Sequence, residues 1–312
     1  MSFELSFKEV RQAFGHQAVR NILYELIGQN AFPASINRTG KFPTVIFNSK
    51  AALERFSKAG AAFRQLNKSR VLHDAKGSNP IRFVDINQII RAFLLAEPRK
   101  PVKIFMPWGP RYKASAEIKD ADPEHHTIKR VVSVLRKLHT AGLPLQASFM
   151  YADSYGVNAG LAPPTVREYG RNVVTALKQH FAGTNIPFEL VPHSKLMASH
   201  PRYSARIKEV ETTLANPTSR RKVGMDDKLY RRLLAQAKQM TGRDGEQDAL
   251  HYAAERIVEA EHVATNPLLV KVSLVGPHHD ELDLANLEPR RRLPTAYVIP
   301  GEHRRPWMMA RE

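Results

Sequence analysis

The residues best suited to chemistry lie on one predicted helix, DALHYAAERIVEAEH at 248–262. His251, Glu255 and Glu259 follow one another at intervals of four residues, so a helix places them on one face. Tyr252 lies beside that stripe. Burial would bring the carboxylate pKa values toward neutrality, and such a face could then serve general acid–base chemistry. The alternative is a solvated helix face that carries a His–Glu pair.

Polar side chains also follow the predicted strand Val102–Met106. Trp108, Arg111 and Lys113 come shortly after it, and open α/β sheets bind their ligands at the carboxyl ends of the strands. Arg111 or Lys113 could hold a carboxylate or phosphate group there. The alternative is a surface loop in which Trp108 packs against the core.

A second strand end carries a carboxylate and an amide. Asp153, Tyr155 and Asn158 follow the predicted strand Leu145–Tyr151. They could bind the head group of an amino acid, although the same residue types favour turns. Glu124, in an acidic stretch just before a predicted helix, either caps that helix or receives a substrate ammonium or guanidinium group.

A third strand end adds His278, which follows the apolar run 268–275. The sequence His278-His279-Asp280 is similar to a set of metal ligands, but no third spaced histidine accompanies it. We therefore expect His278 to contact a substrate, and we expect neither a metal nor another cofactor.

Net charge points to a polyanionic partner. The 312 residues include 47 Lys and Arg against 30 Asp and Glu, a formal charge of +17. On a predicted helix at 225–240, Lys228, Arg231 and Arg232 share one face, which is typical of contact with a phosphate backbone, although a solvated face has the same pattern. The predicted nucleic-acid-binding residues are Arg220, Arg221, Lys222, Lys228, Arg231, Arg232, Arg290, Arg291 and Arg292.

Composition and motifs exclude several classes of protein. The chain has no cysteine, so disulfides, zinc–thiolate sites and cysteine nucleophiles are excluded. No phosphate-binding GxxxxGK[ST] loop, GxGxxG fingerprint or GxSxG elbow is present. The apolar runs are too short for a membrane span, and no signal peptide is visible. We expect a cytoplasmic protein that does not bind membranes.

The elements that must position these residues alternate from residue 101 onward. Strand and helix patterns follow in short succession, which predicts an α/β fold with a Rossmann-like parallel sheet flanked by helices. Residues 1–98 predict additional N-terminal helices packed on the core, among them a long amphipathic pattern over 4–30, and residues 99–312 predict the catalytic domain.

The segment HYAAERIVEAEHVATNPLLVKVSLVGPHHDE resembles the tRNA-dependent cyclodipeptide synthases. The resemblance implies a Rossmann-type fold related to class I aminoacyl-tRNA synthetases and a basic surface for tRNA. It also implies that Glu255, with Tyr252 or His251, deprotonates the substrate amino group. The acyl-carrying serine would be Ser115, although the family's Gly-x-Ser motif is absent there and Tyr252 is three residues before Glu255 instead of four.

The order MPWGPRYK, DADPEHH, FMYADSY and later RRPW is also similar to isocyanide synthases of the pyoverdine/dityrosine type. That resemblance implies an amino acid and a pentulose phosphate as substrates, with Arg111 and Lys113 at the phosphate or imine and Asp153 at the amine.

Charge distribution favours the first resemblance, because a tRNA contacts many phosphates whereas a sugar phosphate needs few cations. We expect an aminoacyltransferase of secondary metabolism that makes a cyclic dipeptide or related amide from aminoacyl-tRNA, with arginine as one possible amino acid. An isocyanide synthase is the alternative, and a non-enzymatic RNA-binding protein is the third.

Overall fold

The structure is a computed structural model that describes residues 3–69, 83–108, 123–158, 161–223, 225–241, 244–263, 265–266, 268–273 and 295–297. Statements about structure below concern these residues. None of the described helices is both long enough and apolar enough to span a membrane.

The N-terminal part combines a small antiparallel sheet with four helices. The sheet has the strand order β1-β3-β2 and consists of β1 (Glu4–Ser6), β2 (Ala34–Asn37) and β3 (Thr44–Phe47). The helices are α1 (Phe7–Phe14), α2 (Val19–Gly28), α3 (Lys50–Lys68) and α4 (Phe83–Leu95).

The prediction of one continuous helical pattern over 4–30 is wrong, because the first helix starts later and a break separates it from a second helix. Ser6 and Glu9 form a capping box that starts α1 only at Phe7. Gly15 then ends α1 in the left-handed conformation, with φ of 67°, and α2 begins separately at Val19.

The second sheet has five parallel strands in the order β6-β5-β4-β7-β8. Its strands are β4 (Val102–Trp108), β5 (Leu145–Tyr151), β6 (Phe188–Pro192), β7 (Leu269–Ser273) and β8 (Thr295–Tyr297). This confirms the predicted α/β fold with a Rossmann-like parallel sheet and additional N-terminal helices.

Helices connect these strands and cover the sheet. The connections that run between β4 and β6 contain α5 (Pro123–Thr140), α6 (Asp153–Asn158) and α7 (Pro163–Phe181). Five helices separate β6 from β7: α8 (His193–Ala198), α9 (Tyr203–Ala215), α10 (Pro217–Lys222), α11 (Asp227–Thr241) and α12 (Glu246–Val263).

Three apolar clusters lie in the described part of the chain, and the smallest consists of Phe105, Met150, Val263 and Leu269. The other two hold the larger units together. The larger cluster runs from Val10 in α1 to Val270 in β7, so the N-terminal helices share one core with the parallel sheet. The smaller cluster joins α9, α11 and α12 and includes Ala152, the residue that follows β5. The helical cluster is thereby anchored at the carboxyl end of a central strand.

A close approach between α1 and α3 depends on a glycine. A Cβ atom at Gly60 of α3 would lie 2.6 Å from the carbonyl oxygen of Ala13 and 3.3 Å from the Phe14 ring. Real side chains do not reach backbone atoms at such a distance, so a methyl group here forces the two helices apart.

We expect Gly60→Ala to destabilise the chain by about 1–3 kcal/mol, because overpacking displaces backbone as well as side chains. Gly28→Ala is the matched control, since a Cβ atom at Gly28 in α2 meets no atom within 4 Å. That variant should be neutral or slightly stabilising. Chemical denaturation measures both, and equal stability of the two variants would contradict the close approach.

Candidate functional site

Two neighbouring strands end at the same level of the parallel sheet. Tyr151 and Pro192, the last residues of β5 and β6, are paired partners. Immediately beyond them, the Asp153 carboxylate accepts hydrogen bonds from the Ser194 backbone N–H, at 3.0 Å, and from the Ser194 hydroxyl. These bonds hold the start of α6 against the start of α8.

This arrangement brings Ser154 and His193 together, because each is the chain neighbour of one member of the Asp153–Ser194 pair. Ser154 Oγ lies 2.6 Å from His193 Nδ1. The other ring nitrogen, Nε2, lies 3.5 Å from Oε2 of Glu259 on α12. Serine, histidine and carboxylate are thus arranged in the order of a catalytic triad. The difference is that the serine here contacts Nδ1 and the carboxylate lies near Nε2, whereas the usual triad has the opposite assignment.

The carboxylate of this group is buried and has a compensating charge. The side chains of His193 and Glu259 are only 3% and 4% exposed. Arg256, one turn earlier on α12, places its guanidinium 2.6 Å from the same Glu259 oxygen. A buried carboxylate without such a partner is strongly unfavourable, so Arg256 keeps Glu259 in place to orient the His193 ring.

A cavity of about 700 Å³ opens beside Ser154 and His193. Tyr203, at the start of α9, and Glu255 of α12 also line it. The Tyr203 hydroxyl is buried and has no hydrogen-bond partner among the described residues. Burial, together with the nearby Glu255 and Glu259, holds the Tyr203 pKa well above its usual range. The hydroxyl therefore remains a neutral hydrogen-bond donor.

Glu255 connects the cavity with the protein surface. Burial raises the pKa of its carboxyl above the ordinary value of 4.5, and His251 and His193 partly offset this effect. His251 Nε2 lies 3.7 Å from Glu255, while Nδ1 of the same ring lies 2.6 Å from Glu211. The His251 side chain is half exposed and so lies between Glu255 and the solvent.

These groups suit nucleophilic acyl chemistry better than metal chemistry. One cavity is lined by a hydroxyl in contact with an imidazole, by one carboxyl with a raised pKa and by a phenolic hydrogen-bond donor. Each of these groups has a role in acyl transfer. Among the described residues, no group of three or more potential metal ligands is found.

In the structure, three of the predicted substrate-binding and catalytic residues have partners within the fold. Trp108 is the last residue of β4 and is buried, with its indole N–H donating to the Tyr169 hydroxyl at 2.9 Å. Asp153 binds Ser194 and so positions the two chain segments of the site. Tyr252 is buried in the helical cluster, on a different face of α12 from His251.

The predicted basic residues divide into buried and exposed groups. Arg220 is buried, donates to the Leu214 carbonyl and to Asp227, and lies over the Tyr230 ring, so it stabilises the junction between α10 and α11. Arg221 also pairs with Asp227. The exposed cations are Arg221, Lys222, Lys228, Arg231 and Arg232.

Several predicted residues lie outside the part of the chain that the structure describes. They are Arg111, Lys113, Ser115, His278, Arg290, Arg291 and Arg292. The side chains of Glu124, Tyr155 and Asn158 also lie outside it, although their backbone belongs to α5 and α6.

Sequence reasoning missed four residues of the site: Ser154, His193, Tyr203 and Arg256. A signal existed for His193 and Ser154, because each comes within three residues of the end of an apolar run, FELVP before His193 and LQASFMY before Ser154. Tyr203 and Arg256 carry no such signal, since only packing of α9 against α12 brings them to the sheet edge.

No protein-family model matches the chain, and a search of curated proteins finds no match either.

Glu255 should make stability depend on pH. A carboxyl whose pKa is raised by folding binds its proton more tightly in the folded chain, so its contribution to stability is complete below pH 4.5 and is lost as pH rises through the folded-state pKa. Glutamine has no such titration. We therefore expect the melting temperature of Glu255→Gln, relative to the unchanged chain, to increase between pH 4.5 and about pH 8.

Thermal unfolding followed by circular dichroism across this pH range measures the difference. Glu54→Gln, which removes a half-exposed carboxylate from α3, is the control. A Glu255→Gln difference that stays constant with pH would contradict the burial of this carboxyl.

Proposed function

We propose that the chain is an acyltransferase that forms amide bonds through an acyl-serine intermediate at Ser154. The observation that carries the proposal is the 2.6 Å contact between Ser154 Oγ and His193 Nδ1 beside the cavity. Burial of the Glu259–Arg256 pair behind His193 supports it, because a fixed imidazole is what a serine nucleophile requires.

In the first half of the reaction, Ser154 Oγ attacks the carbonyl carbon of an activated ester and its proton passes to His193 Nδ1. Glu259 stabilises the resulting imidazolium through Nε2. The Tyr203 hydroxyl donates a hydrogen bond to the carbonyl oxygen as that oxygen becomes negative. The ester C–O bond then breaks, and the leaving alcohol takes the proton from His193.

In the second half, an amine attacks the acyl-serine. Glu255 accepts a proton from the incoming ammonium group, which makes the nitrogen nucleophilic, and His251 passes that proton to water. The amide C–N bond forms as the bond to Ser154 Oγ breaks. One of the two protons left on nitrogen passes through His193 back to the serine oxygen, and the other stays on the amide, which restores the site.

The ester donor that fits this chain best is aminoacyl-tRNA. Its aminoacyl ester supplies an acyl group and an amine in one molecule, and two such molecules yield a cyclic dipeptide. The excess of 17 positive charges favours a donor with many phosphates. Lys228 and Arg231 on α11 are exposed and would contact the acceptor stem.

Intact-protein mass spectrometry after rapid mixing with tRNA charged with the standard amino acids tests the intermediate. We expect an aminoacyl adduct on the unchanged chain and none on Ser154→Ala, with product formation reduced roughly 10⁴-fold. Ser204→Ala is the matched control, because Ser204 also lines the cavity, whereas the hydroxyl at His193 Nδ1 belongs to Ser154.

An adduct that persists in Ser154→Ala would overturn the assignment of the nucleophile. Amide formation from tRNA without any adduct would overturn the acyl-serine step. Consumption of a free amino acid and a pentulose phosphate with no requirement for tRNA would instead favour the isocyanide synthase.

The donor is tested separately by charge reversal on α11. We expect Lys228→Glu/Arg231→Glu to raise KM for aminoacyl-tRNA about tenfold with little change in kcat, because lost phosphate contacts weaken binding alike in ground and transition states. Lys129→Glu/Lys137→Glu on the exposed face of α5 has the same charge change and is the control. Equal effects of the two double variants would contradict a tRNA contact at α11.

A further inference from the structure

The hairpin between β2 and β3 presents an exposed aromatic ring. Phe42 lies in its loop, and 73% of the residue is accessible to solvent. Lys41 places its ammonium group 5.9 Å from the centre of that ring. A phenylalanine is seldom left so exposed unless another molecule covers it, because its burial is favourable.

Two further aromatic rings lie near the start of this hairpin loop. Phe7 of α1 and Tyr24 of α2 are stacked nearly parallel, with ring centres 5.1 Å apart. The exposed Arg20 lies against both rings, and the exposed Arg38, at the start of the hairpin loop, lies 5.9 Å from the Tyr24 ring. Two guanidinium groups therefore lie against the stacked rings, and Arg38 continues into the loop that carries Phe42.

The three cations Arg20, Arg38 and Lys41 form no ion pair within the described part of the chain. Carboxylates on the adjoining elements are engaged with other groups. Glu4 accepts from Thr44, Glu9 accepts from Ser6, and Glu25 pairs with Arg91. The surface therefore combines positive charge with a free ring face.

We propose that Arg20, Arg38, Lys41 and Phe42 form a binding surface for single-stranded nucleic acid. An unpaired base stacks on Phe42, and the three cations contact the adjoining phosphates. Aromatic rings interleaved with cations are the features that bind unpaired strands, because every base has a π-face and every nucleotide has a phosphate. A duplex would offer phosphates to the cations but no free base to the ring.

A membrane surface fits the same residues less well. Insertion into a bilayer interface uses several apolar side chains, whereas Phe42 and Val157 are the large hydrophobic residues exposed in the described ranges, and Val157 lies in α6. One ring is sufficient for stacking on a base but too little for membrane insertion.

Binding of fluorescein-labelled 12-nucleotide RNA and DNA strands, measured by anisotropy, tests the surface. We expect Phe42→Leu to weaken binding about tenfold, because leucine keeps the apolar volume but cannot stack, and Phe42→Trp to bind at least as tightly as the unchanged chain. Arg20→Gln/Arg38→Gln should weaken binding and flatten its dependence on salt. Lys50→Gln on α3 is the charge control.

Binding that is equal in Phe42→Leu and in the unchanged chain would overturn the proposal. Stronger binding of a 12-base-pair RNA duplex than of the single strands would do the same. So would binding of vesicles with anionic headgroups that Phe42→Leu leaves intact. A difference between the RNA and DNA strands identifies which nucleic acid the surface accepts.

This inference does not depend on the acyltransferase activity. None of its residues lines the cavity beside Ser154, and the assay measures binding without turnover. Loss of strand binding would therefore leave the proposed reaction unaffected, and failure of the reaction would leave this surface unaffected.

Discussion

The register between β5 and β6 is the constraint on which the site depends. Because Tyr151 and Pro192 are opposite each other, the chain leaves both strands at the same height. Asp153 then bonds to the Ser194 backbone across the distance between two adjacent strands. Because Ser154 and His193 are the chain neighbours of this pair, their side chains come into contact. A shift of one residue would move every side chain of β6 to the other face of the sheet and separate the pair.

The site also requires two buried charged side chains on α12, in a largely apolar environment. Ala253, Ala254, Ile257 and Val258 of α12 belong to the apolar cluster it forms with α9 and α11. Arg256 and Glu259 are nonetheless buried and satisfy each other at 2.6 Å. Replacing both by apolar residues could stabilise the fold, so stability alone does not account for the pair. The pair also places a buried carboxylate 3.5 Å from His193 Nε2, and this position is what the proposed reaction requires.

Sequence reasoning predicts the parallel sheet well, because buried strands leave a local signal. The bounds of β5 agree with those predicted from the apolar run LQASFMY. Short strands such as β1 and β2 leave too few residues for a pattern, and β1 was absorbed into a predicted helix. The capping box at Ser6 and the glycine at position 15 mark the true boundaries.

The site is only partly predictable, for a physical reason. Regular spacing along one helix shows that His251, Glu255 and Glu259 share a side, and the structure places His251 beside Glu255 at 3.7 Å. Contacts between distant segments leave no such spacing. Ser154 and His193 are 39 residues apart, and Arg220 belongs to a basic run by sequence although Leu214 and Asp227 bind it inside the fold.

The division of the site between strand ends and one helix also determines how such a chain can diverge. Insertions beyond α6 lengthen a connection and leave the strand register intact. An insertion of one residue between Glu255 and Glu259 would turn the rest of α12 by about 100°. It would expose apolar residues and remove Glu259 from His193 at once. Homologous proteins should therefore differ in the lengths of their loops more often than in the length of α12.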